Sequence, residues 1–160
     1  MYENYTRQSL PDRQYRELLG SALCVFNQNN SFIIETILRI KEETNKSEEK
    51  KYTWYDLIDY LSGDLKQEIK DTISKEYGDD IEKLFSKIVS IRNRIVHSYQ
   101  ITNKQGKQVL ATKEKIKHGN DQFEITEEYL KNFIKLNEKL SDKLYDLRES
   151  LPVQFPEGSR

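Results

Sequence analysis

Residues 90 to 100 read SIRNRIVHSYQ, and Arg92, Asn93 and His97 place a fixed cation, an amide and a titratable base close together. An imidazole with an ordinary pKa of about 6.5 can take a proton from a hydroxyl near neutral pH. A guanidinium is always charged, and its planar fork of donors matches phosphate or carboxylate. Together the two residues suit an anionic substrate: the fork can hold a phosphate and the imidazole can move a proton.

The surrounding spacing sharpens the question. Arg92 falls one turn past Ile88 and in line with Leu84, Phe85, Ile95 and Tyr99, so a charge occupies a position that the helical pattern reserves for hydrocarbon. Burying it unpaired is costly. The position must open to solvent, meet a carboxylate, or lie at an interface that receives an anion. His97 follows about 140° further round an ideal helix, whereas Asn93, four residues before it, shares its face. A second subunit would supply what one helix cannot, which predicts a homodimer of C2 symmetry. A plainer account stands beside this one. Helix C-termini favour cations, and that alone accommodates Arg92, Arg94 and His97.

The elements that would hold these residues are helices. Ser9 is the expected N-cap of a first helix starting near Pro11, with Leu18, Leu19, Ala22, Val25 and Phe26 at helical spacing. The helix is expected to continue through the polar run NQNNS into FIIETILRI, its polar patch facing a cleft or partner. The charged stretch 42 to 51 reads as a solvated loop. Thr53 then caps a helix carrying Asp56 in its first turn, with Tyr52 stapled to Leu57 and an inward stripe of Leu57, Ile58, Leu61, Leu65, Ile69 and Ile73 up to Gly78. A third helix starts near Asp79 or Asp80, with Ile81, Leu84, Phe85, Ile88, Ile95 and Val96 inward.

Residues 101 to 126 change character. Glycines, β-branched residues and the turn HGND predict a small β-hairpin or a long ordered loop. Thr126 caps the last helix, Ile125 and Leu130 form its staple, and Leu130, Phe133, Ile134, Leu136, Leu140, Leu144 and Leu147 make its apolar face. The expected fold is all-α, an up-and-down bundle of four to five helices with that insertion before the last one. It forms a single domain over 1–151, and 152–160 form a flexible tail.

With 33% charged and 36% hydrophobic residues and no long apolar run, the chain is expected to have no membrane span and to work in the cytoplasm. Cys24 lies alone in an apolar stretch and is expected to be buried; with His97 and His118 as the only histidines there is no zinc set, and no metal is expected. His118, in a glycine-containing turn, is assigned to the surface, while Tyr52, Tyr55, Tyr60 and Tyr129 fall at packing positions. The net charge of −1 conceals an uneven distribution. Lys104, Lys107, Lys113, Lys115 and Lys117 against Glu114 give +4 just after the histidine, either a guide for an RNA backbone or a solvated loop.

The whole string IRNRIVHSY resembles the signature of HEPN-domain proteins: Arg92 after an aliphatic Ile91, a four-residue spacer that opens with the polar Asn93 and includes the aliphatic Ile95 and Val96, then His97, and Tyr99 two residues later. The likeness covers the motif closely and the helical architecture in outline, roughly residues 11 to 150. The resemblance implies a metal-independent endoribonuclease with no cofactor, of a toxin–antitoxin or phage-defence system, whose homodimer brings two motifs to one cleft. In it Arg92 and His97 are catalytic and Asn93 supports them. The HSY ending is similar to that of HepT-type toxins, which implies a nucleotidyltransferase antitoxin that adenylylates Tyr99. The charged 42–51 loop and the basic 100–122 insertion depart from that compact subgroup. A non-catalytic helical dimer binding RNA or a partner protein through the same cleft is the alternative, since fold alone does not fix chemistry.

Overall fold

The computed structural model describes residues 5–44, 53–60, 62–113, 119 and 121–151. Helix α1 (Arg13–Thr44) starts at Asp12, whose carboxylate accepts the Tyr15 N–H at 2.8 Å. Asp12 thus takes the capping role expected of Ser9, whose carbonyl instead accepts from Gln100 at 2.6 Å. The helix continues through NQNNS, as expected, and takes in the first three residues of the stretch 42 to 51 read as a loop. Asn29 faces no cleft. It is buried and donates to the Asn137 carbonyl at 2.7 Å and to Asn137 Oδ1 at 3.2 Å, which satisfies the amide inside the core.

Thr53 and Asp56 form the expected reciprocal cap. The Thr53 hydroxyl accepts the Asp56 N–H at 3.3 Å and the Asp56 carboxylate accepts the Thr53 N–H at 2.7 Å. Tyr52 and Leu61, and with them the Tyr52 staple, lie outside the described residues. The single helix expected up to Gly78 is broken. Helix α2 (Trp54–Ile58) ends early, and α3 (Ser62–Ile69) passes through a π-helical turn at Lys70–Ser74 into the short α4 (Lys75–Tyr77). The break and the wider π turn reset the phase of the stripe, so that Leu57, Leu65, Ile69 and Ile73 are all buried while Ile58 turns outward. Gly78 stops the run at φ +86°, a conformation other residues resist.

Helix α5 (Asp80–Val96) buries Ile81, Phe85, Ile88 and Ile95, and leaves Leu84 at the rim of the core. Val96, expected inward, is 50% exposed, because it lies off that line in the last turn. The chain then leaves the helix, and Tyr99 opens a strand rather than continuing the helical line. The insertion is a three-stranded antiparallel sheet in the order β1 (Tyr99–Thr102), β2 (Gln108–Lys113), β3 (Gln122–Ile125). Leu110 of β2 stands opposite Ile125 of β3, and the buried Tyr15 hydroxyl bridges them. It accepts the Leu110 N–H at 3.3 Å and donates to the Ile125 carbonyl at 2.6 Å.

Thr126 caps α6 (Glu127–Ser150) by accepting the Tyr129 N–H at 3.1 Å, and Ile125 and Leu130 are both buried beside it. The molecule is mostly helical with a small sheet, as the sequence predicts in coarse form. Helices α1 and α6 pack along their length, with α5 against α6 and α3. Two further single-residue expectations fail: Cys24 is exposed, and Tyr55 is 78% exposed on α2.

Candidate functional site

The Arg92 to Tyr99 segment sits where the last turn of α5 gives way to the sheet. Asn93 and Ile95 carbonyls both accept the His97 N–H, and the Ser98 hydroxyl donates to the Ile95 carbonyl at 2.6 Å, which closes the helix at His97. His97 itself has φ −96° and ψ 22°, and it is exposed. The helix end fixes where the imidazole starts and leaves it in contact with solvent.

Arg92 is half-buried on the core line. Its guanidinium carbon lies 4.9 Å from the centroid of the Phe26 ring, and its Nη1 donates to Asn93 Oδ1 at 3.0 Å. Phe26 in turn stacks with Phe133 at 6.4 Å, so the arginine rests on an aromatic pair shared by α1 and α6. A cation on a hydrocarbon line is accommodated here because its stem packs inward, its face lies on a ring and one edge meets an amide. That bond joins Arg92 to Asn93. Asn93 is exposed and its backbone carbonyl holds the His97 N–H, so Asn93 links the two ends of the motif.

The neighbouring Arg94 points the other way. It donates to the Lys113 carbonyl at 3.1 Å and lies 5.7 Å over the Phe123 ring, clamping β2 and β3 to the helix. Phe123 continues the contact to Tyr129 at 5.8 Å, and burial pushes the Tyr129 hydroxyl pKa upward. Composition gave no sign of this role for Arg94. Its signal was the aromatic Phe123 in a strand following the basic segment.

Tyr99 begins β1 opposite Ala111 and is 40% exposed, so it does not continue the apolar line of α5 on which its spacing places it. Its strand position turns the side chain out of the helical line altogether. Lys104 and Lys107 are exposed in the turn joining β1 to β2, and Lys113 ends β2, also exposed. Lys115, Lys117 and His118 lie outside the described residues.

Comparison with protein-family models, with curated proteins and with solved structures finds no match. The chemistry of the site therefore rests on its own residues. Among the described residues no three His, Cys, Asp or Glu side chains converge, and no helix is long and apolar enough to cross a membrane.

Proposed function

We propose that this chain is a metal-independent endoribonuclease of the HEPN type, belonging to a toxin–antitoxin or phage-defence system. In this reading it is an up-and-down bundle of four to five helices that acts as a C2 homodimer with two motifs facing one cleft. The observation that carries the proposal is the disposition of the motif: a half-buried Arg92 held on Phe26 and tied to Asn93, with an exposed His97 at the helix end just beyond.

His97 takes the proton from a ribose 2′-hydroxyl, and the oxygen attacks the adjacent phosphorus. Arg92 stabilises the added negative charge on the phosphoryl oxygens, and the P–O bond to the 5′ oxygen breaks. The partner subunit's His97 delivers a proton to that leaving oxygen. The products are a 2′,3′-cyclic phosphate and a 5′-hydroxyl, and DNA, which lacks the nucleophile, is left intact. Lys104 and Lys107, exposed on the hairpin that follows the motif, steer the RNA backbone toward it. The exposure of Tyr99 makes it accessible to adenylylation by a nucleotidyltransferase antitoxin, which would silence the site.

One observation favours a second reading. Arg92 already engages Asn93 and Phe26, a geometry that also suits a binding module in which the arginine recognises an anion without chemistry. Incubating wild type and His97→Ala with total cellular RNA in EDTA separates the two. Cyclic-phosphate ends from wild type and none from the variant support the ribonuclease. Intact RNA from both, with binding retained, supports the module.

A further inference from the structure

A second basic feature lies outside the motif, on α5 and α6. The two helices run antiparallel: Asp80 at the start of α5 bonds Lys143 in the second half of α6 at 3.1 Å, while Arg94 near the end of α5 lies over the Phe123 ring that meets Tyr129 in the first turn of α6. Between them opens a groove of about 560 Å³ whose walls include Lys83 and Lys87 from α5 and Lys139 and Lys143 from α6.

Along α6, Lys131, Lys135, Lys139 and Lys143 recur every four residues. Successive lysines rise about 6 Å along the axis and the row spans about 18 Å. Like charges at this spacing weaken a helix. Acids offset part of the row: Asp79 holds Lys83 at 2.7 Å, Glu127 holds Lys131 at 3.3 Å, Asp80 holds Lys143, and Asp142 also lines the groove. Among the described residues, Lys87, Lys135 and Lys139 have no carboxylate partner. Lys135 and Lys139 sit mid-row on α6, and Lys87 of α5 lines the same groove as Lys139.

We infer that this row is a sequence-independent binding strip for the sugar–phosphate backbone of single-stranded RNA, leading toward the end of α5 that carries His97. Two features favour a polyanion with a regular repeat over an acidic protein. The cations themselves repeat regularly on α6, and the row extends past the groove toward Tyr129 and Arg94, the end at which α5 stops at His97. An acidic protein would have to present carboxylates in matching register over the same length. The choice of RNA as the polyanion rests on the ribonuclease reading; the row itself does not.

The test uses His97→Ala protein, so that the probe survives, and a fluorescently labelled oligouridylate long enough to span both helices, followed by anisotropy across a salt titration. Lys87→Gln/Lys135→Gln/Lys139→Gln, added to that background, is expected to weaken binding about tenfold at low salt and to flatten the slope of log affinity against log salt by about 2. Its helical dichroism should match the parent's, since glutamine keeps the helix propensity of lysine. An unchanged slope with RNA still bound overturns the inference. So does a lysine-dependent affinity for polyglutamate with none for RNA, which would mark an acidic protein partner, and so does failure to bind either polymer. Wild type that cuts no RNA, combined with strip-dependent binding, sinks the ribonuclease reading and leaves the strip standing.

Discussion

Arg92 is the residue at which stability and activity pull apart. Its stem replaces a core side chain, and its guanidinium meets the Phe26 ring and the Asn93 amide. Arg92→Met keeps the apolar stem and removes the fork, so unfolding free energy should shift by no more than about 1 kcal/mol. Cleavage of RNA, if the ribonuclease reading holds, should fall by at least about 100-fold. A denaturant titration and an end-mapping assay on the same preparation check both halves, and a collapsed fold with no separable activity loss would make the arginine structural. Tyr15 offers the opposite case, a side chain whose polar tip is wholly architectural. Tyr15→Phe strands the Leu110 N–H and the Ile125 carbonyl that its hydroxyl joins, at a cost of about 1–3 kcal/mol. Hydrogen exchange at the Leu110 amide should quicken accordingly. The motif arginine was legible from its position on an apolar line, whereas Tyr15 was not, since nothing in a helical periodicity reveals which strands its hydroxyl will meet.

Among the elements, the helix ends and the inserted sheet set where the motif can act. Thr126 holds the start of α6 directly after β3, so Thr126→Ala should lower stability by about 1 kcal/mol, read as a lower urea midpoint at unchanged slope. The caps at Thr53 and Thr126 could be read from sequence because an N-cap is local chemistry, decided within four residues. The break after Ile58 and the π turn at Lys70–Ser74 could not. Leu57 to Ile73 keeps an apolar stripe in either description, and only packing against α1 and α5 selects the phase. The sheet behaves similarly: β-branched residues announce strands, but the third strand depends on Arg94 and Tyr15 reaching it from helices far away in sequence.

At the scale of the whole molecule, one buried charge ties stability to pH. Glu82 is 7% exposed, and although burial alone would raise its pKa, bonds from Lys66 at 3.2 Å and from the Ser86 hydroxyl at 3.0 Å hold it below the usual carboxylate range. A carboxyl with a depressed folded pKa stabilises the fold above its unfolded value and loses that contribution as pH falls through the folded one. Stability should therefore decline as pH drops below about 4.5, and Glu82→Gln should flatten that decline while lowering stability near neutrality. Thermal melts of both proteins between neutral pH and pH 3 would show it; parallel curves would mean the charge is not linked to folding. By itself the sequence determined the helical class, most of the core-facing residues, two of the caps and the candidacy of Arg92, Asn93 and His97, because each follows from spacing within a few turns of one helix. Tertiary structure alone decided that Asn29 meets Asn137, that Phe26 carries Arg92, that Arg94 clamps the sheet and that lysines from α5 and α6 line one groove. Each of these joins residues far apart in the chain, and the periodicity of one element carries no information about the face its partner turns toward it.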